Sequence, residues 1–214
     1  MTNYRACTAT ILLLFSAPAL LHSQVSAPAL LHSQGIRSTD RGPSVGLAYT
    51  GVGIATTEDG ATTTESGNGV VAEVGYGFGK LWLGGQFNSA SMNDIDGRGT
   101  YTLSGLGLTG RYVFRGTDKM ARPYLEVGGL RRQLTADVVE RGSTTTVKAS
   151  SFGASFGGGI SVFFTPRFAL DVGGQYGFGD LTDWKANGVA ARTNDLAATT
   201  FVLRLGGRWF LSGE

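Results

Sequence analysis

Residues 151–164 read SFGASFGGGISVFF. Taken alternately, Phe152, Phe156, Ile160, Val162 and Phe164 fall on one side, and Ser151, Gly153, Ser155, Gly157, Gly159 and Ser161 on the other. A period of two is that of a β-strand, whose successive side chains point to opposite faces of a sheet. One face is large and apolar, the other is built from the smallest residues, and neither carries a charge. Such a strand presents no ordinary water-facing side.

The same alternation recurs in both directions along the chain. It groups Val45, Leu47 and Tyr49; Val70, Ala72, Val74, Tyr76 and Phe78; Leu81, Leu83 and Phe87; and Leu106, Leu108, Tyr112 and Phe114. Beyond them come Pro123, Leu125 and Val127; the quoted segment; Phe168, Leu170, Val172, Tyr176 and Phe178; and Phe201, Leu203, Leu205, Trp209 and Leu211. No stretch repeats every three or four residues as a helix would, so the reading is all-β with eight strands. Polar stretches follow strands 1, 3, 5 and 7 (TTEDGATTTESGN, SASMNDIDGRG, TADVVERGSTTT and GDLTDWKANGVAARTNDLAA), whereas Gly79-Lys80, RGTDKMA and Thr165-Pro166 follow strands 2, 4 and 6. Long and short connections alternate. In an up-and-down antiparallel barrel this collects all long loops at one end and all short turns at the other, as in outer-membrane barrels.

Composition agrees. Glycine fills 34 of 214 positions, about one in six against a usual ~7%, and charged residues make up 16% against about 25%. Helical membrane spans need several runs of about 20 apolar residues, and a disordered chain would not carry 10% aromatics. A soluble ligand-binding barrel would turn Lys, Glu and Thr to water, but here the face opposite the aromatics is glycine and serine, which suits a narrow lumen. The aromatic face is therefore expected to meet lipid. Tyr49, Phe87, Phe152, Tyr176 and Phe201 lie toward the long loops and Phe78, Phe114, Phe164, Phe168 and Trp209 toward the short turns, as two interfacial girdles require.

These glycine-rich strands, the segment PYLEVGG at 123–129 and the last strand FVLRLGGRWFL resemble the small eight-stranded outer-membrane barrel family, which includes the transmembrane domain of outer-membrane protein A. The resemblance covers residues 44–211. It implies a transmembrane β-barrel over 44–214, in the outer membrane of a Gram-negative-type cell, with lipid as its environment and its C-terminal strand offered to the barrel-assembly machinery. The chain departs from the family in two respects: Leu-Ser-Gly-Glu follows Phe210 where the family ends on an aromatic, and no peptidoglycan-binding domain follows.

The parity that turns aromatics outward puts Glu73, Gln86, Arg111, Glu126, Asp171, Gln175, Arg204 and Arg208 in the lumen: three acids, three bases and two amides. Symmetric short turns set Glu73 opposite Gln86 and Arg111 opposite Glu126. A symmetric connection about residues 189 and 190 sets Asp171 beside Arg208 and Gln175 beside Arg204. Buried charge is tolerable only when paired, so this set reads as a static polar core or, alternatively, as ion pairs that exchange partners to gate a small passive channel.

The first 34 residues read as an export signal with cleavage between 23 and 34, followed by a periplasmic lead-in over 35–43. Arg5 precedes a short apolar core, and SAPALLHSQ occurs at 16–24 and again at 26–34. Cys7, His22 and His32 all fall in this segment. The remaining chain carries 17 Lys and Arg against 16 Asp and Glu, which gives no electrostatic case for nucleic acid. Gly105–Gly110 satisfies the dinucleotide fingerprint and Gly153–Gly157 the nucleophile elbow, but each lies inside one strand with no helix after it. With no histidine base outside the leader and only Asp94 and Asp96 as a scattered acidic pair, no catalytic, metal or cofactor site is expected. The long loops are expected to supply an outward interaction surface.

Overall fold

The structure is a computed structural model that describes residues 41–58, 61–93, 100–114, 120–140, 143–190 and 196–211. The expected export signal over 1–34 with its duplication, Cys7 and both histidines, and the Asp94, Asp96 pair lie outside the described residues. Ten strands appear: β1 (Arg41–Glu58), β2 (Ala61–Phe78), β3 (Leu81–Asn93), β4 (Thr100–Val113), β5 (Ala121–Glu140), β6 (Ser143–Thr165), β7 (Phe168–Leu181), β8 (Lys185–Ala186), β9 (Val189–Ala190) and β10 (Leu196–Phe210). The eight long ones form the barrel. Each pairs antiparallel with its neighbour in the chain, β10 with β7 and with β1, and β5 with β6, so every long strand has two partners and no edge is left open.

Two-residue turns carry the connections from β2 to β3 and from β6 to β7. Gly79 adopts φ +88° between β2 and β3, a left-handed conformation that glycine enters without strain. The turn between β6 and β7 is Pro166-Arg167, one residue later than the sequence suggested, and a bulge lies between Phe163 and Thr165 in that pairing.

The long connections differ more. Strands β1 and β2 stay in register to Glu58 opposite Ala61, and β5 and β6 to Glu140 opposite Ser143. Much of what read as polar loop is thus paired ribbon. A transmembrane strand needs only about 9–11 residues, while β5 has 20 and β6 has 23. The part of that ribbon beyond Thr135 and Lys148 extends about 17 Å at ~3.4 Å per residue. In the β1–β2 ribbon β-branched threonine favours the extended backbone, as in the facing pairs Thr56 and Thr63, and Thr57 and Thr62.

The connection from β7 to β10 also carries structure. Asn187 (φ 48°) and Gly188 (φ 82°) make a two-residue turn with both φ positive, which closes the small β8–β9 hairpin. Asn187 then docks on β6: its N–H donates to the Thr146 carbonyl at 2.9 Å, and its Oδ1 accepts from the Thr146 N–H at 3.0 Å.

Outside, the barrel is apolar at mid-height. Leu108 is 75% exposed and Phe152 77%, and Leu47, Val74, Leu106, Val127 and Leu203 are also exposed. Toward the ribbons the polarity inverts. There Val52, Ile54, Ala90, Met92, Leu103, Ala149, Leu181 and Ala198 are buried inward as one cluster, backed by Tyr101, Leu134 and Trp184. An apolar exterior suits lipid and an apolar interior suits water outside, so the inversion marks where the strands leave the membrane.

Candidate functional site

The lumen is built in levels. At its centre, alternate positions on five strands aim Glu73 (β2), Arg111 (β4), Glu126 (β5), Asp171 (β7), and Arg204 and Arg208 (β10) at one another. Arg111 donates to Asp171 Oδ2 at 2.9 Å, to Glu126 Oε2 at 3.1 Å and to Glu73 Oε1 at 3.4 Å. Arg204 reaches Glu73 at 3.3 Å, pairs closely with Glu126, and donates to the Tyr124 hydroxyl at 3.1 Å. Arg208 pairs closely with Glu73 and lies 3.2 Å from Asp171. Three cations and three anions thus form one neutral lattice across the lumen. Charge-assisted hydrogen bonds of this kind offset much of the desolvation that burial imposes.

Two aromatic side chains pack into the lattice. The Arg111 guanidinium lies 4.1 Å from the Tyr124 ring centroid, and that of Arg208 lies 4.5 Å from the Trp82 ring. Trp82 Nε1 donates to Ser44 Oγ at 2.8 Å. Both rings are buried, so aromatic side chains join the polar set expected in the lumen. The glycines face these rings and give them room. A methyl group at Gly159 or Gly173 would stand 2.6 or 2.5 Å from the Tyr124 hydroxyl, and one at Gly75 or Gly84 would run into the Trp82 indole.

Across the short turns the registers are as read from the sequence, with Glu73 opposite Gln86 and Arg111 opposite Glu126. Across the long connection they are not. Asp171 faces Gly206, Arg208 faces Ala169, Gln175 faces Val202 and Arg204 faces Gly173. The connection is not symmetric about residues 189 and 190, so each residue of β7 meets a partner two positions earlier than expected. Arg208 still reaches Asp171 along the diagonal, whereas Gln175 sits higher and donates to Ser155 Oγ at 3.1 Å. Gln86 is buried on β3 outside the ion pairs.

Below the lattice, the Arg122 guanidinium stacks 4.1 Å from the Phe163 ring, and Phe163 and Phe210 meet with centroids 5.6 Å apart. Arg122, Tyr124 and Arg132 went unremarked in the sequence, although they share parity with Glu126 on β5. On the outer face Tyr49, Phe78, Phe87, Phe114, Phe152, Phe164, Tyr176, Phe201 and Trp209 are exposed. Phe168 is half covered by Phe164 and Trp209, its ring centroid 6.3 and 4.8 Å from theirs.

A closed antiparallel barrel with an apolar waist and an ion-paired interior is an integral outer-membrane β-barrel. Residues 8–208 match the outer membrane protein beta-barrel domain, and the chain belongs to that family. Among solved structures it is similar to Neisserial surface protein A, at 18% identity over 78% of this chain and 98% of that one, with a TM-score of 0.57. It is also similar to the outer membrane protein OprG from Pseudomonas aeruginosa, at 14% identity over 81% and 98% with a TM-score of 0.55. A third likeness is to the outer membrane protein AlkL, at 15% identity over 81% and 93% with a TM-score of 0.52. At such identities the shared property is the fold. No curated protein matches the chain in sequence.

Proposed function

We propose that this outer-membrane barrel is a non-enzymatic, sealed scaffold whose work is done by the ribbons and loops that it holds outside the membrane. The observation that carries this reading is how the lumen is occupied. An ionic lattice packed with Trp82 and Tyr124 fills its centre, and the apolar cluster of Ile54, Met92, Leu103 and Leu181 fills the end toward the ribbons. A conducting pore needs a continuous polar path, and an apolar plug over a neutral lattice opposes one. The β1–β2 and β5–β6 ribbons stand beyond the apolar waist, with threonines along both. Acyl-transfer enzymes of this membrane need a base, and the chain has no histidine beyond His22 and His32.

The reading is tested by trimming. Replacing residues 56–63 and 138–145 each by Asn-Gly leaves Ala55 opposite Thr64 and Asp137 opposite Thr146 to close two-residue hairpins. Heat-modifiable migration on a gel, which reports a folded barrel, should survive. Retention of intact cells on polysaccharide-coated or protein-coated surfaces should fall relative to cells displaying the full chain. Equal retention with both proteins folded and equally abundant would refute a surface role for the ribbons.

A further inference from the structure

Between the ionic lattice and the apolar plug lies a cavity of about 470 Å³, open space at its mouth included, whose enclosed part has room for a body of about water size. Its polar lining is Arg132 with the neutral side chains of Thr50, Asn88, Ser89, Ser155, Gln175 and Thr200, and its apolar lining includes Val52, Val71 and Leu130. Arg132 is only 3% exposed. Its Nη1 donates to Thr200 Oγ1 at 3.2 Å, while Nε and Nη2, which together form one edge of the guanidinium fork, have no hydrogen-bond partner in the protein. The side chain lies against glycine: a methyl group at Gly153 or Gly179 would come within 2.8 or 2.9 Å of Nη2.

Arg111, Arg204 and Arg208 also leave Nε without a protein acceptor, but each is ion-paired to carboxylates. Arg132 makes no ion pair among the described residues. The lattice below cannot lend it one, because its three acids are already matched by three arginines. A guanidinium does not shed its proton to escape burial, and an uncompensated buried charge is strongly unfavourable. We propose that Arg132, with the hydroxyls of Thr200 and Thr50, holds one halide-sized monovalent anion drawn from the surrounding medium. The largely apolar wall suits a weakly hydrated single charge better than sulfate or a sugar phosphate, whose double charge is costlier to strip of water.

Bromide is the probe. Crystals of the detergent-solubilised barrel, grown without halide and soaked in sodium bromide, should show anomalous density in the cavity against Arg132. Bromide found only at surface Lys and Arg would be an adventitious ion only and would overturn the proposal. In solution, urea unfolding is followed at constant ionic strength in sodium bromide and in sodium gluconate, whose anion is too large to enter. At a bromide concentration ten times its dissociation constant, the folded-to-unfolded ratio should rise about tenfold over gluconate. Arg132→Met should abolish that difference, and a difference retained in full would contradict the assignment. Thr200→Val keeps the charge and serves if Arg132→Met does not fold. It should weaken bromide binding, and an unchanged bromide response in this variant would remove Thr200 from the site and overturn the proposal as stated.

Discussion

Arg111 is the residue on which the lattice turns. It alone among the three lattice arginines reaches all three acids, at 2.9, 3.1 and 3.4 Å, and it also packs against Tyr124 and Trp82. Arg111→Met keeps much of the side-chain volume and removes the charge. Glu73 then retains Arg204 and Arg208, Glu126 retains Arg204, and Asp171 retains Arg208, which leaves three anions against two cations, all of them buried. Breaking a buried pair by removing one partner costs about 3–5 kcal/mol, and the lost ring contacts add a smaller amount. The expected loss is therefore about 4 kcal/mol. Neutralising one acid should restore the balance. Asp171 is the choice, because its Oδ1 already lacks a hydrogen-bond partner and Arg208 alone would remain to pair with it. Arg111→Met with Asp171→Asn should recover about half of the loss, a coupling well above the additive limit of about 0.5 kcal/mol. Reversible urea unfolding of the barrel in detergent micelles, read by tryptophan fluorescence and checked by heat-modifiable migration, measures both. An unchanged midpoint for Arg111→Met would refute the reasoning, and so would a double variant no more stable than the single one.

Two further perturbations probe the two faces of the wall. Gly173→Ala brings a methyl group to 2.5 Å from the Tyr124 hydroxyl and should cost about 1–3 kcal/mol by overpacking. In a Tyr124→Phe background, where that oxygen is gone, the same substitution should cost measurably less, and an equal cost in both backgrounds would mean that glycine serves something other than the ring. On the outside, Leu108→Arg at a 75% exposed position in the middle of β4 should cost about 2–4 kcal/mol in a bilayer. A water-facing position would tolerate it, so an unaffected unfolding midpoint in liposomes would place Leu108 outside the lipid.

Alternation along Phe152 to Phe164 was enough to read the strands, their outward faces and the barrel, because membrane and narrow lumen impose opposite demands on successive residues. Registers were legible where a two-residue turn leaves no freedom, as between Glu73 and Gln86. They were not where the connection carries structure of its own, although Asn187-Gly188 is a strong hairpin signal and could have disclosed β8 and β9. The ribbons escaped for a different reason. Outside the membrane both faces of Thr56–Glu58 and Thr62–Thr64 are polar, so the period of two loses its contrast and strand resembles loop. The lattice itself needs contacts across the lumen, such as Arg111 on β4 with Asp171 on β7, which no pairing of neighbouring strands contains. The opposition of glycine and ring at Gly173 and Tyr124 is hidden for the same reason, so the glycine face reads only as a narrow lumen when it is room for another strand's side chain. Arg132 was within reach, since it sits six residues from Glu126 on the same face of β5.

The sealed lumen is the claim on which the functional reading rests, and single-channel recording of the purified, heat-modifiable barrel in a planar bilayer tests it most directly. The account predicts no stable unitary conductance from the wild-type chain under either polarity of applied voltage. Reproducible, ion-selective open-channel steps from the wild-type chain would contradict it and favour a lattice whose ion pairs exchange partners to open a path.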